Sequence, residues 1–157
     1  MKDLSPATSQ LTKSGIEFRV HEYEHDPAAA SYGDEAVAAL QSDPAQVFKT
    51  LVAELDTSEL VVAVVPIAFP LQLKALASVA SAKKARMAAL EEAQRSSGYV
   101  AGGISPFGQR KHLRTFVDQS AQQHETVYVS AGRRGVEVEV PPGAFSQILG
   151  ATWASLT

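Results

Sequence analysis

No cysteine occurs anywhere in the 157 residues, which excludes disulfides, thiolate metal sites and a cysteine nucleophile. There is a single tryptophan, and aromatic residues make up only 7%, so scattered that they form no base-stacking platform. No apolar run approaches the ~20 residues of a membrane span, and no signal-peptide core follows Met1-Lys2-Asp3. The Gly-x-Gly-x-x-Gly, Walker and Gly-x-Ser-x-Gly patterns are missing as well. A cytoplasmic protein with no membrane contact and no cofactor is the expectation.

The chain does contain enough apolar residues for a core. At 45% hydrophobic, a chain of this length fits one domain spanning residues 1–157. No internal repeat or linker interrupts it. Its net charge of -3 is unevenly spread. Between Lys83 and Arg134 nine Lys/Arg face four Asp/Glu, so this stretch carries +5 and the remainder -8. The basic residues gather at Lys83-Lys84-Ala85-Arg86, Arg110-Lys111-His112-Leu113-Arg114 and Arg133-Arg134. They suit either solvated faces or a local phosphate-binding surface.

Ser5-Pro6 followed by Ala7 to Ser14 and Gly15 predicts a short helix, with Leu11 facing the core. Glu17 to His25 alternates, as a half-buried strand does, with Phe18 and Val20 on one side and Tyr23 on the other. His21 and His25 would be two metal ligands on a helix. On a strand they stand about 13 Å apart at roughly 3.3 Å per residue, too far to share an ion. No metal site is expected there, and neither His112 nor His124 has a partner pattern. Glu35 to Gln41 predicts a helix with Val37 and Leu40 inward.

From Val47 to Leu55 alternation puts Val47, Lys49, Leu51, Ala53 and Leu55 on one side, so Lys49 is the only charge on an otherwise apolar face. Such a lysine either snorkels from a sheet edge or aims a cation into a pocket, where low dielectric strengthens its hold on a carbonyl oxygen, an ester or a phosphate. Leu60 to Val65 is a continuous apolar run, the mark of a strand covered on both faces. Leu71 to Ala80 and Ala88 to Arg95 read as helices, the second stopped by Ser96-Ser97-Gly98; Lys83 to Met87 between them fits neither pattern.

Gly98 to Gln109 is the segment hardest to explain by packing. Tyr99, Val100 and Ala101 read as a short buried strand, after which Gly102-Gly103 allows φ > 0 or a close approach to another group. An ordinary turn fits, and so does a loop whose N–H groups receive an anion or a developing oxyanion. Pro106 fixes its own φ and biases Ser105 towards extended backbone. Further on, Thr115 to Val117 and Thr126 to Val129 read as strands. Gly132 to Gly135 then turns into Val136 to Val140, an edge strand with Glu137 and Glu139 on its wet side. Ala144 to Leu149 is the last helix, with Trp153 closing over the core. Helices and strands do not alternate regularly, so the class is α+β, a mixed sheet flanked by helices.

Tyr23-Glu24-His25-Asp26, Val47-Phe48-Lys49-Thr50-Leu51, the loop Gly98-Tyr99 to Gly102-Gly103-Ile104-Ser105-Pro106 and the hairpin from Ser130-Ala131-Gly132 to Glu137 together resemble the YbaK family, in the family's order and over nearly the whole chain. These are free-standing aminoacyl-tRNA deacylases related to the editing domain of bacterial prolyl-tRNA synthetases. The resemblance implies hydrolysis, in trans, of the ester joining a wrong amino acid to a tRNA, most typically cysteine on the proline tRNA, with alanine or serine as alternatives. It implies that Lys49 is the principal functional side chain. Around it, Tyr23, Thr50, Gly102, Gly103, Ile104, Ser105, Pro106, Ser130, Gly132 and Glu137 would border the substrate; many relatives have Asp where Glu137 stands. No side-chain nucleophile with a base is evident, so water or a group on the substrate would attack. The implied partner is the acceptor end of an aminoacyl-tRNA, with prolyl-tRNA synthetase a possible second. Two other readings remain: a non-catalytic module binding that synthetase or aminoacyl-tRNA, and general nucleic-acid binding through Arg110 to Arg114.

Overall fold

Leu60 to Val65 is the centre of the molecule: residues 61–65 are each at most 1% exposed, as a strand covered on both faces requires. The computed structural model describes residues 5–29 and 31–157. In chain order the elements are α1 (Pro6–Lys13), β1 (Arg19–Glu22), α2 (Tyr32–Leu40), β2 (Phe48–Leu55), β3 (Leu60–Pro66), α3 (Leu73–Val79), β4 (Ala85–Met87), α4 (Leu90–Ser97), β5 (Thr115–Asp118), a 3-10 turn (Gln119–Gln123), β6 (Val127–Arg133), β7 (Val136–Val140), α5 (Gly143–Leu149) and β8 (Thr152–Ala154).

Two sheets form. One is mixed, in the order β4-β2-β3-β5-β8, and the other is an antiparallel trio, β1-β7-β6. Among the described residues a single parallel bridge, Val47 to Tyr128, ties them together. The larger core fills the space between them. Phe48, Val52, Val62, Val64 and Val117 of the mixed sheet meet Val127, Val129, Val136, Val138 and Val140 of the trio, with Leu11, Phe107 and Phe145 closing the ends. A smaller core lies on the other face of the mixed sheet, where Ala53, Leu55, Val61, Ala63 and Val65 pack under Leu76 of α3. This is the expected α+β class with a mixed sheet and flanking helices.

Helix α1 starts as its sequence predicts: Ser5 caps it, Pro6 is its first residue, and Ser5 and Thr8 close a reciprocal capping box. Three expectations need correction, and one element is new. Tyr99-Val100-Ala101 is not a strand; Gly98 ends α4 in the left-handed region at φ 82°, and the chain turns there with Val100 54% exposed. β7 is no edge strand, because β1 covers its other side. The first strand is shorter than expected, Arg19–Glu22. A strand not foreseen, β8, pairs with β5 and carries Trp153, whose ring stands edge-on to Phe145.

Candidate active site

The bridge between Val47 and Tyr128 aligns the strands that build the site. Two residues on from it lie Lys49 and Ser130, and Ser130 stands opposite Glu137, which stands opposite His21. Because alternate residues share a face, Lys49, Ser130 and Glu137 project to the same side at the same level. Helix α2 and the chain after β1 cover that side, enclosing a cavity of about 590 Å³. Six of the residues singled out in the sequence besides Lys49 line it: Tyr23, Thr50, Gly102, Ile104, Ser130 and Glu137.

Lys49 makes no ion pair among the described residues and contributes a free cation to the cavity wall. Glu137 is 6% exposed, and burial pushes its carboxyl up to about 8, so near neutrality it is mostly protonated and can donate a hydrogen bond. Tyr23 is held by its N–H on the Gly135 carbonyl at 2.8 Å. Its phenol is pushed up to about 12, by burial first and then by Glu137 and Glu35 nearby. Thr50 Oγ1 is buried without a hydrogen-bond partner among the described residues, which costs stability unless a ligand supplies one.

The cover is fixed at three points. Glu35 of α2 accepts from the Asp26 N–H at 2.6 Å and meets His25 Nδ1 at 2.7 Å; the His25 contact, then that N–H, hold its carboxyl below the usual range. Arg134 donates from Nε to the Ala101 carbonyl at 2.7 Å and lies over the Tyr32 ring, 5.0 Å from its centroid. Gly102, at φ 82°, packs under that ring so closely that a Cβ would stand 2.8 Å from its carbons. Neither Tyr32 nor Arg134 carries a site signal in the sequence. Arg134 is half of a basic doublet, and Tyr32 opens α2 directly after Ser31, whose side chain caps the helix in the structure.

Four sequence-singled residues do not line the cavity. Of the two readings of the Gly102-Gly103 loop, the ordinary turn fits Gly103: its N–H donates to the Val100 carbonyl at 2.9 Å, and a Cβ at Gly103 would lie 2.7 Å from Arg133 Cα. Ser105 is fully buried, with Oγ accepting from the Phe107 N–H at 3.2 Å. Pro106 lines a separate small depression together with Lys111 and Leu113. Gly132, at φ 110°, packs on the Tyr99 ring behind the wall. The basic clusters lie outside the cavity too, Arg134 at its rim excepted: Arg86 pairs with Glu54 at 2.7 Å and Arg114 with Glu59 at 2.8 Å.

Among the described residues no group of three or more His, Asp or Glu could hold a metal ion, and His21 and His25 each face a glutamate instead. Ser130 Oγ accepts from the Gly132 N–H at 3.2 Å and is hydrogen-bonded to no His, Asp or Glu among the described residues. A free cation, a neutral carboxylic acid and a protonated phenol therefore converge on one cavity, with no nucleophile–base pair. Such a set of groups can hold and polarise a ligand carbonyl but includes no activated nucleophile among the described residues.

The family described as aminoacyl-tRNA editing domain matches residues 26–147, and the chain belongs to it. It is 36% identical over 137 residues, 87% of this chain and 84% of the relative, to the Enterococcus faecalis protein named "Putative Cys-tRNA(Pro)/Cys-tRNA(Cys) deacylase EbsC". Two solved structures share the fold. A hypothetical protein superposes with a TM-score of 0.86 at 22% identity, covering 97% of this chain and 99% of its own. The other, described as "a putative trans-editing enzyme for prolyl tRNA synthetase", gives 0.83 at 23% identity, covering 98% of each chain. No helix among the described residues is long and apolar enough to cross a membrane.

Proposed function

We propose that this chain is an aminoacyl-tRNA deacylase that hydrolyses, in trans, the ester between a wrong amino acid and its tRNA, with cysteine on the proline tRNA as the leading substrate. The observation that carries this reading is the free Lys49 cation sharing a cavity with the protonated Glu137 and Tyr23 in a member of the editing family. Membership of that family and the name of the E. faecalis relative support the substrate class; the description of one structural neighbour supports prolyl-tRNA synthetase as a partner.

The chemistry follows from the wall. Water adds to the ester carbonyl carbon, the C–O bond to the ribose breaks, the ribose oxygen takes one of the water's protons, the other passes to solvent, and the amino acid departs as a carboxylate. Lys49 orients the aminoacyl end and offsets the negative charge that develops on the carbonyl oxygen; losing one such donor typically costs ~100-fold or more in rate. Glu137 and Tyr23, both protonated, donate without adding negative charge to a site where an oxyanion forms.

Multiple-turnover deacylation of Cys-, Ala-, Ser- and Pro-charged proline tRNA tests the reading. Release of cysteine with proline spared, reduced at least ~100-fold in a folded Lys49→Ala variant, is the expected result. No turnover on any of them, with the charged tRNA bound and its ester protected, would make the chain a binding module instead.

A further inference from the structure

The outer edge of β2 is paired at both ends and bare in the middle. At its start the Tyr128 N–H donates to the Gln46 carbonyl at 3.1 Å, where β6 touches it. At its end β4 pairs with Ala53 to Leu55, and the Ala88 N–H donates to the Val52 carbonyl at 3.0 Å. Continuing the β4 register would bring residue 90 opposite Thr50, but Leu90 instead begins α4 and the chain veers away. Between these two attachments no described strand pairs with the edge.

The direction of the Thr50 main chain follows from parity. On β2 the Val47 carbonyl and the Leu55 N–H bond towards β3, to Ile67 and Glu59, whereas the Val52 carbonyl bonds outward. Alternation in an antiparallel ladder therefore turns the N–H and C=O of Thr50 outward, into the gap. Thr50 lines the cavity, and its Oγ1, buried and unpartnered, lies at the same spot. An edge with free main-chain groups accepts an added strand, and this gap has room for one residue.

Resting on the deacylase reading, we infer that the Thr50 edge takes the aminoacyl group as a one-residue antiparallel strand. The Thr50 N–H donates to the ester carbonyl oxygen, and the Thr50 C=O accepts from the α-ammonium, as two residues of a hydrogen-bonded pair exchange both bonds. Thr50 thereby supplies the main-chain donor that Gly103, already bonded to Val100, does not. Directly opposed L-residues place their side chains on the same face. The amino acid's side chain consequently lies on the face of Thr50, beside Val52, Ala93 and Ile104, a compartment with a single free hydroxyl. A D-residue would swing its side chain to the opposite face, against Lys49 and Glu137. Main-chain recognition thus reads the handedness and the α-amino group, and the small compartment limits size.

The test uses the full chain, labelled with nitrogen-15, and three hydrolysis-resistant probes: 3′-deoxy-3′-amidoadenosines carrying L-alanyl, D-alanyl or propionyl groups. The L-alanyl probe should slow exchange of the Thr50 amide at least ~10-fold at saturation and shift its resonance. The D-alanyl probe and the propionyl probe, which lacks the α-amino donor, should bind at least ~10-fold more weakly, the loss expected for a hydrogen bond to a charged group. Binding of the L-alanyl probe with the Thr50 amide unaffected, or equal affinity for all three, would overturn the inference and leave the deacylase reading intact. So would failure of the L-alanyl probe to bind a chain that turns over Cys-tRNA. Absence of both binding and turnover would overturn the two together.

Discussion

Glu137 and Glu139 stand two residues apart on the same face of β7, yet the molecule treats them in opposite ways. Burial acts on both and favours the neutral acid. For Glu139 it is outweighed by hydrogen bonds from Thr126 Oγ1 at 2.6 Å and His21 Nε2 at 3.0 Å, with the charges of His21 and Arg19 helping. Its carboxyl is held below the usual range. For Glu137 burial is the only resolved cause, and the carboxyl goes up to about 8. His21 is directly opposite Glu137 in the register, but its ring nitrogen reaches diagonally to Glu139. The difference separates a carboxylate that ties β7 to its neighbours from a buried carboxylic acid at the wall of a cavity that makes no ion pair among the described residues, a combination characteristic of functional sites.

The largest effect expected from this contrast is on stability against pH. An acid whose folded pKa is raised keeps its proton while the unfolded chain releases it. Wild-type stability therefore falls as pH rises from about 4.5 to about 8 and is level above. Each pKa unit corresponds to ~1.4 kcal/mol, so a shift of this size costs at most roughly 5 kcal/mol. The Glu137→Gln variant should lack this slope and be the more stable protein at pH 8.5, while matching wild type near pH 5 in urea unfolding. A wild type whose stability is flat from pH 5 to 8 would erase the contrast between the two glutamates. Deacylation should lose rate above about pH 8 as Glu137 ionises, and the Gln variant should not show that limb.

A Glu139→Gln substitution should act with the opposite sign. A depressed carboxylate contributes stability that is present above its unfolded pKa and is lost as pH falls through the folded one. At pH 7 the variant should lose about 1 kcal/mol, since the amide still accepts from Thr126 but no longer attracts His21 and Arg19. The deficit should shrink towards pH 3 in thermal melts followed by circular dichroism. Deacylation should stay within about 3-fold of wild type, because Glu139 lies outside the cavity wall.

The contrast between the glutamates was only half legible in the sequence. Alternation over Val136 to Val140 correctly placed both on one face, and the apolar run at Leu60 to Val65 correctly announced a doubly covered strand. What alternation cannot tell is what lies above a face. Glu137 is buried because Tyr23 and α2 close over it, and β7 is interior because β1 comes back from the far end of the chain. The level of Lys49 with Ser130 and Glu137 depends on one bridge, Val47 to Tyr128, which has no local signature. Main-chain availability is hidden from the sequence for a similar reason. Two successive glycines advertise free N–H groups, yet Gly103 spends its own on Val100, whereas Thr50, with no glycine beside it, has main-chain groups facing a gap because two other strands stop short.

The smallest expected effect comes from His21. Its imidazole is about a third exposed and the Glu139 it meets is largely covered; its ring also stands edge-on to Tyr128 at 5.4 Å. A partly exposed pair of this kind contributes about 0.2–1 kcal/mol, so His21→Ala should lower stability by no more than that at pH 6. A double-mutant cycle with Glu139→Gln should recover a coupling of similar size, whereas the cycle with Glu137→Gln should give none, although the register places His21 directly opposite Glu137. Coupling to Glu137 instead would mean that the imidazole turns towards the cavity in solution, and the buried acid would then have the charged partner that its raised pKa denies it.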